Sequence, residues 1–175
     1  MSQLVEERQN IARRSDLKGS ERRALLSDAT DSWLRGLLTD AITQHRADFT
    51  QFALLAVGGY GRREMSLGSD IDVVLVHEPS ALRVEDVASS LWYPIWDSRI
   101  ALDHSVRTIA QARTLAQEDF KVVLGLIDAR VVAGSTELGE SLRTGILGDW
   151  RASAADRLVE LHATAMARRS RVRDL

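Results

Sequence analysis

Two aspartates, Asp70 and Asp72, stand at the head of an almost unbroken β-branched and aliphatic run, Ile71 to Val76. On an extended strand alternate side chains share a face, so both carboxylates project to one side while Ile71, Val73 and Leu75 project to the other. Two carboxylates so placed can hold one hard divalent cation between them, or bridge two. Without a cation they resist joint ionisation, because like charges that close repel. Asp-x-Asp is nevertheless a common pattern, and acidic residues at strand starts also serve as turn formers.

The turn upstream adds weight to the chemical reading. The apolar run Phe52–Val57 stops at Gly58-Gly59, with Gly61 and Arg62 following. Glycines leave backbone N–H groups unshielded by Cβ atoms, so that a ligand can approach them closely and be held in an anion nest. A guanidinium at Arg62 suits phosphate oxygens. Read as structure alone, the same residues make a tight turn and a surface charge. A phosphate cradle next to a metal-ligand pair is, however, what a nucleoside triphosphate needs.

The segment Gly-Gly-Tyr-Gly-Arg-Arg-Glu-Met-Ser-Leu-Gly-Ser-Asp-Ile-Asp, residues 58–72, resembles the signature of the DNA polymerase β-type nucleotidyltransferase superfamily. Its form with Tyr60, Gly61, Arg62 and Glu64 is most similar to the family of bacterial PII uridylyltransferases, which act in nitrogen sensing. Leu102-Asp103-His104-Ser105-Val106-Arg107-Thr108 and Leu126–Gly134 resemble two later segments of that family. The resemblance implies that Gly58, Gly59, Gly61, Arg62 and Ser69 bind the triphosphate and that Asp70 and Asp72 bind magnesium. It implies UTP or ATP as donor, and as acceptor a tyrosine hydroxyl of the trimeric signalling protein PII, with release of pyrophosphate.

Two positions depart from the family pattern. Ser66-Leu67-Gly68 stands where relatives often have proline or an aromatic residue, and Asp103 where many have glycine. The superfamily usually adds a third carboxylate on a neighbouring strand. Asp103 is either that ligand or an exposed turn residue. His104 reads as a packed histidine or a hydrogen-bonder near the nucleotide. Arg107 reads as a salt-bridged side chain or a phosphate contact, and Glu64 as a partner for Arg62 or Arg63. Two other functions stay open: transfer to a small-molecule or RNA acceptor, and nucleotide binding without turnover. The family's metal-dependent phosphohydrolase chemistry needs a His-Asp pair, and none of His45, His77, His104 and His162 precedes an aspartate. The chain therefore reads as an N-terminal piece of a longer enzyme or as a stand-alone transferase half.

These residues need a scaffold. The 175 residues, 45% hydrophobic and 27% charged, suit one hydrophobic core of ordinary size. A net charge of −2 makes nucleic acid an unlikely partner. With no cysteine, disulfides, thiolate metal sites and a cysteine nucleophile are excluded. No apolar run has the length of a signal peptide or membrane span, which makes the cytoplasm the expected compartment.

Helical spacing of Leu25, Leu26, Ala29, Trp33, Leu34, Leu38 and Ile42 predicts a helix over 20–47, with Ser20 as N-cap. Strands are predicted at 52–57, 71–76 and 101–107, and a helix at 83–98 bent or ended by Pro94. Residues 109–133 read as two helices separated near Glu118-Asp119, the second ending at Gly134. A last helix is predicted over 150–169, followed by a basic end at 168–175. The fold class expected is α+β, close to α/β, with a small mixed sheet of the polymerase β type flanked by helices and a helical C-terminal part. The expected division is a polar segment at 1–19, a nucleotidyltransferase domain at 20–134 and a helical extension at 135–175.

Overall fold

The computed structural model describes residues 3–173, without the side chains of the last helical turns, so the side chains of the basic end at 168–175 lie outside what is described. Four strands form one mixed sheet in the order β3-β2-β1-β4: β1 (Phe52–Ala56), β2 (Ile71–His77), β3 (Leu102–Arg107) and β4 (Arg130–Gly134). β1 runs antiparallel to both β2 and β4, whereas β2 and β3 are parallel. A parallel neighbour requires a crossover, and α4 (Val84–Asp97) supplies it.

The two central strands are apolar on both faces because both faces are covered. Leu54, Ile71, Val73 and Leu75 pack into a core with α1 (Gln3–Arg13), α2 (Gly19–His45) and α4. Ala53, Leu55, Val74 and Val76 pack into a second core with α5 (Ile109–Glu118), α6 (Phe120–Ile127) and α7 (Thr136–Arg173). The expected mixed-sheet α+β architecture is thus what the chain forms.

Four local expectations need correction. The polar segment before residue 19 contains α1, whose Leu4, Arg8 and Ile11 are buried. Their spacing is helical, but only two of the eleven residues are buried apolar ones, which made the amphipathic pattern too sparse to stand out. The cap of α2 lies at Lys18 rather than Ser20, and the Lys18 N–H donates to the Glu21 carboxylate at 2.8 Å.

The second helix of 109–133 ends at Ile127, and residues 130–134 are strand β4. A short apolar run fits helix or strand equally by periodicity; the adjacent β-branched Val131 and Val132 and the open edge of β1 decide it here. Gly134 accordingly caps no helix. Its φ of +87° and the 2.2 Å that a Cβ would leave to the Phe52 carbonyl oxygen show a strand end pressed against β1.

The last helix begins at Thr136, not near 150. Leu138, Leu142 and Ile146 of α7 lie in the second core, so packing is continuous across residue 134. Arg113 of α5 ties the same helix down through Nε and Nη2 bonds of 2.8 and 2.7 Å to Asp149. Pro94 sits inside α4, which ends one turn later at Asp97.

Candidate active site

The glycine turn and Asp72 meet where β1 leaves the sheet, with Asp70 just ahead of β2. The Val57 N–H donates to the Asp72 carbonyl oxygen at 3.0 Å, holding the end of β1 against the start of β2. The chain then turns through Gly58 at φ +56°, a left-handed conformation that disfavours any Cβ. A Cβ at Gly58 would lie 3.6 Å from Asp72 Oδ2, so the carboxylate sits directly beside the turn.

Gly58–Gly61 form α3, one helical turn closed by Gly61 N–H to Val57 O at 2.9 Å and Arg62 N–H to Gly58 O at 3.2 Å. The N–H groups that open such a turn have no partner within it. Around Gly59 nothing lies within 4 Å of a Cβ position, so open space faces this residue. Gly61 differs. A Cβ there would lie 2.3 Å from the Asp128 carbonyl oxygen, so this glycine serves packing.

The parallel register places Asp103 opposite Asp72, on the same face of the sheet. Burial pushes the Asp72 carboxyl above the ordinary carboxylate range, and the charges of Asp70 and Asp103 push it further. The sequence left open whether Asp103 joins the pair; it lies within their electrostatic reach. A cleft of about 420 Å³ contains Gly58, Asp72, Asp103, Arg107 and Lys121 in its walls. Among the described residues no three His, Cys, Asp or Glu side chains close around a single point as a preformed metal cage. The donor set is nonetheless hard oxygen and carries its own repulsion, which suits a divalent cation that arrives with phosphate ligands.

Of the other predicted residues, Arg62 and Ser69 lie outside this cleft, whereas His104 and Arg107 line it. Arg62 bonds Glu64 at 2.8 Å and Asp128 at 2.6 Å, and lines a separate surface groove with Gly61. Ser69 turns its hydroxyl to the Ser66 N–H at 2.9 Å. Its side chain therefore shapes the loop ahead of Asp70. His104 packs against Trp92 and Trp96, with ring centroids 4.9 and 5.6 Å away. Arg107 shares the cleft face with Asp103 and has no ion pair among the described residues, contrary to a salt-bridged reading.

Sequence reasoning missed the groups that support the turn. The Tyr60 hydroxyl is buried and donates to Asp31 Oδ1 at 2.6 Å. Arg130 grips the same carboxylate through bonds of 2.6 and 3.0 Å, and its guanidinium lies 5.5 Å from the Tyr60 ring centre. Burial, then the negative charge of Asp31, pushes the Tyr60 hydroxyl far up, so it stays protonated as a donor. Arg8, from α1, donates Nη2 to the carbonyls of Ser66, Leu67 and Ser69 at 3.1, 3.1 and 2.9 Å. Those bonds fix the loop that delivers Asp70. The one available signal for Arg8 was its place between Leu4 and Ile11 at helical spacing.

A glycine turn, a strand-borne carboxylate beside it and a second on the adjacent strand thus come together at one end of the mixed sheet. The family model described as "Putative nucleotidyltransferase DUF294" matches residues 5–93, about half of the chain, and the chain belongs to that family. It is 48% identical over 158 residues to a bifunctional uridylyltransferase/uridylyl-removing enzyme of Streptomyces coelicolor, covering 90% of this chain and 18% of that protein. It is 39% identical over 166 residues to the enzyme of that name from Mycobacterium tuberculosis, covering 90% of this chain and 20% of that protein. The chain thus spans about a fifth of the length of these relatives. A crystal structure of a toxin–antitoxin with AMP-PNP overlaps 77% of the chain at a TM-score of 0.44 and 16% identity.

Proposed function

We propose that this chain transfers UMP or AMP from UTP or ATP to a tyrosine hydroxyl of the signalling protein PII, releasing pyrophosphate, in nitrogen regulation in the bacterial cytoplasm. The observation that carries the reading is the pairing of Asp72 with Asp103 beside Gly58, in a cleft large enough for a nucleotide. The relatives named as uridylyltransferases support the uridylyl form.

Asp70, Asp72 and Asp103 would hold magnesium. Bound there, magnesium supplies charge neutralisation on the phosphates and lowers the pKa of the acceptor hydroxyl. The open N–H groups of Gly58 and Gly59 receive phosphate oxygens, orienting the α-phosphorus for in-line attack by the tyrosine oxygen. The bond from the α-phosphorus to the bridging oxygen breaks, pyrophosphate carries away the electron pair, and the tyrosine proton leaves to solvent. Gly61, Arg62 and Ser69 act one step back, holding the turn and loop in shape. Orientation and preorganised charge account for most of the rate in such transfers.

The test is incubation with magnesium, PII and labelled UTP or ATP. The expected result is a PII mass increase of one nucleotidyl group from one of the two donors. The Asp70→Asn, Asp72→Asn double variant should lose transfer and keep its fold by circular dichroism; full activity in that variant would end the proposal. Pyrophosphate release with a different acceptor, and none with PII, would move the assignment to that acceptor. Magnesium-dependent nucleotide binding without pyrophosphate release would mark a regulatory domain.

A further inference from the structure

We infer that the triphosphate tail is neutralised by Arg107 and Lys121, two cations in the wall of the aspartate cleft, and not by Arg62; this rests on the nucleotidyl-transfer reading above.

The argument begins with strand alternation. Asp103, Ser105 and Arg107 share one face of β3, opposite Asp72, Val74 and Val76 of β2. A cation therefore follows the carboxylate along the same wall. Lys121 enters from the other side of the sequence. Asp119 caps α6 by accepting the Lys121 N–H at 2.7 Å, which places residue 121 in the first turn, at the cleft. Both side chains line the space that Gly58, Asp72 and Asp103 enclose.

Their pairing state separates them from Arg62, Arg63, Arg113 and Arg130. Among the described residues neither Arg107 nor Lys121 has an ion pair, although carboxylates line the same cleft. Arg62 is already neutralised by Glu64 and Asp128, Arg63 by Asp28, Arg113 by Asp149 and Arg130 by Asp31. A phosphate that recruited Arg62 would first have to break two bonds of 2.8 and 2.6 Å. Recruiting Arg107 and Lys121 breaks none. Carboxylates with unpaired cations in one cleft complement a metal–triphosphate, whose charge is positive at the ion and negative along the tail.

The inference is tested by titrating inorganic tripolyphosphate, with magnesium, into wild-type protein, Arg107→Gln, Lys121→Gln and the double variant, using calorimetry. Each single substitution should weaken binding about tenfold and the pair about a hundredfold, the usual scale for lost charge-assisted bonds. Arg62→Gln should cost less than about threefold. UMP or AMP binding should change less than about threefold in all variants, a result that general loss of structure would not produce. Arg107→Lys should recover part of the loss. Lys121 is exposed, so Lys121→Gln keeps the test open even if the Arg107 variants misfold. Tripolyphosphate binding by Lys121→Gln or the double variant at wild-type strength would overturn the inference and leave nucleotidyl transfer standing. Failure of the wild type to bind either tripolyphosphate or a nucleoside triphosphate would overturn both.

Discussion

Asp72 and Asp103 stand opposite one another in the parallel pairing of β2 and β3, two carboxylates on one face of the sheet with Gly58 beside the first. That arrangement needs a crossover, since parallel neighbours cannot be joined by a hairpin. α4 is therefore part of the site's construction even though the carboxylates lie on the strands.

The raised Asp72 pKa makes a pH-dependent prediction. Burial, with Asp70 and Asp103 behind it, lifts this group above the ordinary value of 3.8 in the folded chain. The folded state then holds the proton more tightly than the unfolded state. The stability this contributes is full below 3.8, falls as pH rises through the raised value, and is gone at neutral pH. Asp72→Asn should accordingly raise the neutral-pH melting temperature, by roughly 1–3 °C for a repulsion worth under about 1 kcal/mol. Magnesium should raise the wild-type melting temperature at neutral pH and lose that effect as pH falls through the Asp72 value. Differential scanning fluorimetry across pH reads both; a magnesium effect unchanged by Asp72→Asn would count against this carboxylate as a ligand.

The support beneath the turn predicts graded losses. Tyr60→Phe removes one hydrogen bond and leaves Asp31 paired with Arg130, at a cost of about 1 kcal/mol. Arg130→Met leaves the Asp31 carboxylate, 10% exposed, without its cation. Partial exposure of Arg130 moderates the penalty to about 2–3 kcal/mol. Urea denaturation should rank the two variants in that order, and equal losses would show that Arg130 does not neutralise Asp31.

Arg8 acts at a distance from the chemistry. Arg8→Met deletes three bonds to the carbonyls of Ser66, Leu67 and Ser69. The expected outcome is faster hydrogen exchange over 66–70 and transfer slowed about tenfold, with cooperative unfolding retained. Unchanged exchange in that loop would show that other contacts set it.

The three glycines of the turn should respond differently to alanine. Gly61→Ala drives a methyl into the Asp128 carbonyl and should cost about 2 kcal/mol or more. Gly59→Ala meets no atom within 4 Å and should leave stability nearly unchanged while weakening nucleotide binding. Gly58→Ala should be strained, because φ is +56° there. Thermal melts paired with nucleotide titrations separate packing from binding at each position.

The chain makes some of these features readable and hides others. β2 declares itself because both of its faces are buried from Val73 to Val76, so that this run is apolar throughout. The glycine turn declares itself because backbone conformation demands glycine locally. Arg8, Asp31 and Arg130 do not, since a charged residue on a helix or at a strand edge reads as solvated until its partner is known. Each partner lies far along the chain, Arg130 from Asp31 by 99 positions. Arg62 shows the converse: its neighbours in sequence point to phosphate, and its neighbours in space, Glu64 and Asp128, occupy it.

The bond between Asp31 and Arg130 also orders events in time. β1 and β2 pair across the connection 57–70, a more local contact than any with β4, and can form first. The carboxylate beneath Tyr60, however, gains its cation only when β4 has emerged and added itself to the far side of β1. During synthesis the glycine turn therefore waits for residue 130 before its foundation is complete. A nascent chain stalled between α6 and β4 would display the aspartate strand on a hairpin whose turn has not yet been locked.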